Sequence, residues 1–318
     1  MPSIEEIKSN PNYVSVLDKG WVGLVDHMGS DSSIVRAARV SYGSGTKSVR
    51  EDRGLLRYLM RHHHSSPFEM CDVIVHIKCP IFVMRQLVRH RTHSANEYSG
   101  RYSVMTDEFY VPDVQQINPQ SIANKQGRAG SVSPADALVV QQLMQNANST
   151  SYALYEHLLG LSGQDNSAMS EEFPGIAREL ARTVLPLSNY TELYWKQNLK
   201  NLMHMMRLRM DPHAQWEIQE FAKAIYSLIQ PLYPLSIEAF EDYENQALTL
   251  SRMEKNLLKT LVDHKNLSSG SAPYNRVITP AMYLNQMIEK NGFKTFANDQ
   301  GMSERELNEF IDTWSLAA

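Results

Sequence analysis

The sequence feature that most limits the fold is one alternating segment among many helical patterns. In residues 72–78, the apolar side chains Val73, Val75 and Ile77 point one way, and polar side chains such as His76 point the other way. This period of two predicts a β-strand. No regular exchange of strands and helices follows, which disfavours a doubly wound sheet. We therefore expect an α+β fold, a helix-rich single domain around a small, mostly antiparallel sheet with extra C-terminal helices.

Most other segments carry apolar residues at helical spacing. Ser303 with Glu306 resembles a capping box before the final helix. Residues 115–135 are polar and rich in Gly, Ser, Asn and Gln, which predicts a long loop. We expect one domain over 1–245 and a helical C-terminal extension over 246–318. The expected helices of the domain cover residues 31–40, 52–61, 80–90, 134–160, 172–184, 188–210 and 211–230.

Composition and charge exclude several classes of protein. The 318 residues are 42% hydrophobic with a net charge of -4, so no global basic field draws the chain to nucleic acid or to an anionic membrane. No apolar run approaches the roughly 18 residues that a membrane-spanning helix needs. The N-terminus lacks the layout of a secretory signal. The two cysteines, Cys71 and Cys79, cannot build a disulfide scaffold, so we expect a cytoplasmic location.

The segment RHRTHSANEYSGRY at residues 89–102 is the strongest candidate site. Arginine guanidiniums bind phosphate through paired hydrogen bonds, and backbone freedom at Gly100 would let the chain turn tightly over a ligand. Gln86 lies about one helical turn before Arg89, so both side chains could face one ligand. From the residues alone, a phosphate site and a solvated basic helix end are equally good interpretations.

The predicted helix at 188–210 carries a second candidate set. Its apolar stripe includes Trp195 and several methionines, which core packing explains without a cofactor. Lys200 and His204 lie on the opposite side, where ordinary solvent exposure is the usual explanation. Asn198 and Arg209 lie at the edge of the stripe, where partial desolvation would strengthen the interaction of a guanidinium with an anionic ligand.

Other kinds of site are less well supported. Three consecutive histidines, His62, His63 and His64, suggest a metal site, but consecutive side chains seldom converge on one ion, so we expect no metal. Neither a dinucleotide-binding glycine motif nor a Walker loop is present. Cys79 precedes Pro80 at a helix start, and with no base placed beside it by sequence, a buried cysteine is the better interpretation.

The spacing of the basic segment resembles the signature of flavin-dependent thymidylate synthases, in which Arg89-His90-Arg91 is followed after seven residues by Ser99. The resemblance spans about 12–115 and 172–242 and excludes the tail after about residue 245. Three further blocks agree in order and content, namely DSSIVRAARVS at 31–41, LMRHHHSSPFE at 59–69 and the segment at 181–217.

The resemblance implies that the chain makes dTMP from dUMP. Methylenetetrahydrofolate would supply the one-carbon unit, and FAD reduced by NADPH would supply the hydride. Arg209 would be the catalytic residue that polarises the uracil ring. Ser99 resembles a position once thought nucleophilic, but no base is evident near it, so a dUMP contact is the better interpretation. The implied dUMP-binding residues are Gln86, Arg89, Glu97, Tyr98, Ser99, Gly100, Arg101, Arg182 and Arg209.

The resemblance also implies an FAD site and an assembly. Ser66 replaces a frequent threonine and keeps the hydroxyl, whereas Lys200 replaces a frequent arginine and loses its paired donors. His64 and His213 would lie near the flavin or folate. A homotetramer is implied, with sites built from several subunits. The implied FAD-binding residues are Ser66, Arg89, His90, Arg91, Thr92, Glu97, Asn198, Lys200 and His204.

Two other functions remain as alternatives at this stage. A nucleic-acid-binding module would use the RHRTH segment and the loop with Lys125 and Arg128, but the acidic net charge argues against it. A metal-dependent hydrolase would use the histidines, but no carboxylates stand at a recognisable spacing. The polar loop either folds over the nucleotide or lies disordered on the surface.

Overall fold

The computed structural model describes residues 9–42, 49–122, 125–161, 173–256, 258–259, 303, 306 and 308. Internal contacts divide the chain into two units, Met1–Gln246 and Ala247–Ala318. All helices and strands named below lie in the first unit. The expected C-terminal helices fall almost entirely outside the described residues, but Ser303 and Glu306 do form a capping box. The backbone N–H of Ser303 donates to Glu306 Oε2 at 2.8 Å, and that of Glu306 donates to Ser303 Oγ at 3.3 Å.

A five-stranded antiparallel sheet forms the centre of the first unit, with strands in the order β1-β2-β3-β5-β4. The predicted strand at 72–78 is confirmed and extends to Pro80. The α+β class is confirmed by this sheet and the helices around it. The strands are β1 Tyr13–Val16, β2 Gly20–Met28, β3 Asp72–Pro80, β4 His93–Glu97 and β5 Tyr190–Asn198.

The helices pack mainly on one face of the sheet. Val75 pairs with Trp195 and Ile77 with Leu193 across β3 and β5, so these side chains share that face, and all four are buried. The core there includes residues of α1, α2, α6, α7 and α8. The helices are α1 Asp31–Arg39, α2 Val49–Arg61, α3 Ile81–Leu87, α4 Pro134–Leu158, α5 Arg178–Ala181, α6 Leu199–Arg209, α7 Trp216–Ile229 and α8 Pro234–Phe240.

The largest error of the sequence analysis concerns 188–210, which is not one helix. Its first half is strand β5, and only Leu199–Arg209 is helical. In β5 the side chains of Leu193, Trp195 and Gln197 are buried while Tyr194 and Lys196 are exposed. This alternation is the period of a half-buried strand. Trp195 in β5 and Leu199 in α6 are four residues apart, so the apolar residues of the two elements together have the spacing of one helical stripe.

Smaller differences concern three other segments. The helix expected over 172–184 is only the short α5 followed by a 3-10 turn, Arg182–Val184. The helix expected from residue 211 begins at Trp216. The long loop is confirmed over its described residues, and it contains a 3-10 turn, Val114–Gln116. None of the described helices is both long and apolar enough to cross a bilayer.

Candidate active site

A cavity of about 330 Å³ opens at the end of β4, a size typical of small-molecule sites. It brings together residues that the sequence analysis assigned to dUMP. Glu97, Tyr98, Ser99 and Gly100 come from β4 and the turn after it, and Arg182 comes from the 3-10 turn after α5. The remaining lining residues are Ile81, Met105, Leu185 and Thr191.

Hydrogen bonds fix the wall of this cavity. Thr191 on β5 donates its hydroxyl to Oε1 of Glu97 at 2.8 Å. Tyr98 donates its phenol to the carbonyl of Val104 at 2.6 Å, and Ser99 Oγ accepts from the backbone N–H of Arg101 at 3.3 Å. Thr191 is not among the residues expected at the site, because the segment 188–210 was predicted to be helical. The alternation of β5 was the signal that could have placed it beside β4.

Gly100 is required by space rather than by backbone freedom. It is absent from the described glycines with positive φ, which corrects the reason given above. A Cβ at this position would lie 2.9 Å from Sδ of Met105 and 3.1 Å from Cδ of Arg182. Both distances are too short for ordinary packing. Gly100 therefore allows the arginine to approach the backbone at the cavity wall.

Residues Arg89 to Thr92 form the turn between α3 and β4. The helix that was expected to reach residue 90 ends at Leu87, and the turn is held by Gln197, whose Nε2 donates to the carbonyl of Arg91 at 3.3 Å. Thr92 has a φ of 60°, a left-handed conformation that is costly for a β-branched residue and that occurs in tight turns and at functional sites. Arg89 and Arg91 are exposed, and neither has an acidic partner among the described residues.

His90 and Arg209 are joined across the site although 119 residues separate them. Arg209 donates from Nε to Nε2 of His90 at 2.8 Å. Burial is the main cause that lowers the pKa of His90 to about 4, with the charge of Arg209 adding to it. Burial also lowers the pKa of Arg209. The ring of His204 lies 6.4 Å from that of His90, so α6 brings three predicted residues together here.

Other predicted residues have protein partners in the subunit. Asn198 is the N-cap of α6, with Oδ1 accepting from the backbone of Asn201 at 2.9 Å. Lys200 forms a salt bridge with the buried Glu244. Arg101 pairs with Glu179 at 3.1 Å. These side chains are thus not all directed at one cavity.

Four further residues lie outside the lining of the cavity. Gln86 donates from Nε2 to Oε1 of Gln215 at 2.8 Å. His213 is exposed and lies 2.9 Å from Oδ1 of Asp211. Ser66 and His64 are exposed in the turn after α2. Neither Arg89 nor Arg209 lines this cavity either.

The two cysteines are buried, and the described residues contain no cluster that could bind a metal ion. Cys71 and Cys79 are buried free thiols, and burial was expected for Cys79. Burial raises the pKa of Cys71 to about 11 and that of Cys79 further, which disfavours a reactive thiolate. Among the described residues, no three His, Cys, Asp or Glu side chains form a group that could hold a metal ion.

Comparisons with known proteins agree with the chemistry of this site. The family model described as "Thymidylate synthase complementing protein" matches residues 23–235. The flavin-dependent thymidylate synthase of Rickettsia conorii is 45% identical over 269 residues, which cover 84% of this chain and 90% of that protein. The corresponding protein of Gluconobacter oxydans is 48% identical over 236 residues, covering 74% of this chain and 75% of that protein.

A solved structure is also similar. It is that of PolB, a UMP/dUMP methylase from Streptomyces cacaoi, bound with 5-Br UMP. It is 34% identical with a TM-score of 0.62, and the match covers 73% of this chain and 98% of that chain. Residues 23–235, which the family model matches, contain the cavity residues, the Arg89–Thr92 turn and Arg209. The chain therefore belongs to the family of flavin-dependent thymidylate synthases.

Proposed function

We propose that this chain forms dTMP from dUMP at the cavity beside Gly100. Methylenetetrahydrofolate gives the one-carbon unit, and NADPH reduces FAD. The observation that carries the proposal is the convergence of Glu97, Tyr98, Ser99 and Arg182 on one cavity in a chain of this family. Family membership also decides against the nucleic-acid-binding and metal-hydrolase alternatives.

The cavity wall suits a nucleotide monophosphate. Arg182 and the backbone around Ser99 and Gly100 offer N–H donors for a phosphate, and Glu97 offers an acceptor for sugar or base N–H and O–H groups. Ser99 serves as an anchor in this proposal, because no described histidine or carboxylate is hydrogen-bonded to its hydroxyl. A test is Arg182→Ala, which should raise the KM for dUMP by about tenfold or more, as loss of a charged hydrogen bond does.

Arg209 is the proposed catalytic residue. Its Nε is engaged with His90, so the remaining guanidinium N–H groups are available to the uracil ring. The partial burial that lowers its pKa also strengthens its field at a nearby ring, because the local dielectric constant is lower than that of water. It would thereby stabilise negative charge that develops on the base.

The residues near His90 fit FAD. Arg89 and Arg91 are exposed cations without acidic partners among the described residues, which suits a diphosphate. In this proposal Thr92, Asn198 and His204 also contact the cofactor through their polar groups. Bound FAD, once reduced, would supply the hydride. The proposed FAD site also includes Ser66 and Lys200, and Lys200 would share its hydrogen bonds between the cofactor and Glu244. We place His64 and His213 near the flavin or the folate.

We also propose that the active form is a homotetramer whose sites are shared between subunits. The cavity holds Arg182 but not Gln86, Arg89 or Arg209, so one subunit presents only part of the expected dUMP site. Exposed apolar side chains support burial against other copies. Those on α4 and near α5 include Leu138, Val139, Leu143, Leu180 and Leu187.

Subunit mixing tests this arrangement. With dUMP supplied well below the raised KM of Arg182→Ala, each of the two variants Arg182→Ala and Arg209→Ala should form dTMP at about a tenth of the wild-type rate or less when assayed alone. If each site takes Arg182 from one subunit and Arg209 from another, co-refolded mixtures contain some intact sites, and dTMP formation should recover partly. Two populations of the same variant, refolded in the same way, are the control. No recovery in mixtures that are shown by mass to be hetero-oligomeric would contradict a shared site.

The same proposal covers the domains and the location. Residues 1–245 would form the catalytic domain and 246–318 a helical extension, which is supported by the family match ending at residue 235. A chain ending at Gln246 should then keep dTMP synthesis. Two buried free thiols, Cys71 and Cys79, support a reducing compartment such as the cytoplasm.

A further inference from the structure

A series of side-chain hydrogen bonds connects the long polar loop to Gln86 at the end of α3. Arg128 of the loop donates from Nη2 to Oε1 of Glu217 on α7. Gln215 donates from Nε2 to Oε2 of the same carboxylate at 2.9 Å. Gln86 then donates from Nε2 to Oε1 of Gln215 at 2.8 Å. The series therefore ends on a side chain that the proposed function assigns to dUMP.

Glu217 is the fixed centre of this series. It is 1% exposed, and the phenol of Tyr110 gives it a further hydrogen bond at 2.9 Å. Burial alone would raise its pKa, but the hydrogen bonds and charge of Arg128, with a hydrogen bond from Gln215, hold the pKa below its ordinary value. The carboxyl group is thus ionised and can only accept hydrogen bonds.

An ionised Glu217 sets the direction of every amide in the series. Gln215 must turn its NH2 group to the carboxylate, so its Oε1 faces Gln86. Gln86 must in turn direct its NH2 group to that oxygen. Its own Oε1 is then left as the acceptor that it presents to a ligand.

The loop itself determines where Arg128 lies. The backbone N–H of Ser121 donates to Gly127 at 2.8 Å, and that of Ala129 donates to Pro119 at 3.0 Å, which closes a small hairpin. Arg128 also donates from Nη1 to the carbonyl of Gln116 at 3.1 Å. These contacts hold Arg128 where its guanidinium pairs with Glu217.

We propose that Arg128, Glu217 and Gln215 are positioning residues that hold Gln86 with its Oε1 toward the nucleotide. Tight dUMP binding would then require the loop to be folded onto α7. This inference rests on the proposed dUMP contact of Gln86. It assigns the loop a role through α7 rather than through direct contact with the nucleotide.

A double-mutant cycle on the full-length holoenzyme tests the relay. The variants are Gln86→Ala, Arg128→Ala and the two combined, with KM for dUMP and kcat measured for each. Arg128→Ala should raise the KM by about tenfold, within the usual range for coupled sites, with kcat changed much less. The combined variant should be no worse than Gln86→Ala alone, because both changes remove one interaction.

Further variants separate positioning from folding. Gln215→Ala removes an exposed side chain from the middle of the series, while Arg128 still pairs with Glu217. The KM for dUMP should therefore rise, and the melting temperature should stay unchanged. Gln219→Ala removes a hydrogen bond to Ala214 in the same turn and is the matched control. Arg128→Lys should restore part of the affinity. NADPH-driven flavin reduction without dUMP should stay at the wild-type rate in Arg128→Ala and Gln215→Ala.

The outcomes distinguish this relay from the proposed function. A raised KM in Gln86→Ala with unchanged KM in both Arg128→Ala and Gln215→Ala would overturn the relay and leave the dUMP site intact. Additive effects of Gln86 and Arg128 would also overturn it, since Arg128 would then act independently. An unchanged KM in Gln86→Ala would instead reject the assignment of Gln86 to dUMP.

Discussion

At the scale of single residues, the contact between His90 and Arg209 matters most to the electrostatics of the site. Arg209 can only donate, so Nε2 of His90 must accept and carry no proton. The lowered pKa of His90, about 4, keeps the ring neutral at physiological pH. Protonation of His90 would place its imidazolium in contact with the guanidinium of Arg209. His90 therefore orients the guanidinium without competing with its charge.

This contact predicts a loss of stability in acid. The unfolded chain binds a proton at His90 near pH 6.5, whereas the folded chain binds it only near pH 4. The stabilisation is therefore complete above pH 6.5 and is lost as the pH falls toward 4. The difference corresponds to about 3 kcal/mol. Urea unfolding of His90→Gln, which keeps an acceptor but cannot titrate, should show a shallower decline than the wild type or the exposed control His204→Gln. An equal decline in all three would refute the assignment.

Gly100 gives a second prediction at this scale. The Cβ in Gly100→Ala would push the side chains of Met105 and Arg182 away from the turn, so the Kd for dUMP should rise by roughly tenfold, as a shift of about 1.4 kcal/mol in binding would cause. Gly54→Ala is the matched control. Gly54 lies in α2, and a Cβ added there meets no atom within 4 Å. Isothermal titration with dUMP compares the two. Wild-type affinity in Gly100→Ala would mean that this wall does not contact the nucleotide.

At the scale of elements, β5 and α6 show what sequence patterns can and cannot resolve. Tyr190, Thr191 and Trp195 are residue types that favour strands, and the alternation in β5 was visible. The helical pattern that continues through Met203 and Met206 concealed the boundary. Asn198 marks it, because its side chain caps the first turn of α6. A helix N-cap in the middle of an apparently continuous stripe was the missed signal.

Two variants of Asn198 distinguish its role as the N-cap of α6 from its proposed contact with FAD. Asn198→Ala should lower the free energy of unfolding by about 1 kcal/mol, the usual cost of a lost N-cap. Asn198→Asp keeps the acceptor and should keep that stability, but it replaces the amide NH2 that is proposed to contact FAD. Chemical unfolding and FAD retention measured on both variants check this. Equal FAD retention in Asn198→Asp and the wild type would remove Asn198 from the cofactor site.

At the scale of the whole molecule, local patterns predicted most of the helices and one of the five strands, but few of the contacts between elements. The α+β class, the strand at 72–78 and α4 could be predicted, since each depends on periodicity or capping within one segment. The cavity could not be built from sequence alone, because Arg182 meets Gly100 across more than one intervening element. The pairs Arg209–His90 and Arg128–Glu217 also join distant segments. Only the family resemblance predicted that residues 89–101, Arg182 and Arg209 contribute to one binding site.

The proposed activity is tested by measuring dTMP formation by the purified holoenzyme. The wild type and Arg209→Lys are each supplied with dUMP, methylenetetrahydrofolate, FAD and NADPH, and the product is resolved by chromatography. UMP in place of dUMP is a parallel substrate, since the similar PolB is described as a UMP/dUMP methylase. The wild type should form dTMP only in the complete mixture. Arg209→Lys should form it about 100-fold more slowly, as loss of an electrostatic stabiliser does, with NADPH-driven flavin bleaching retained. Absence of dTMP from the complete wild-type mixture, or normal turnover in Arg209→Lys, would contradict the account.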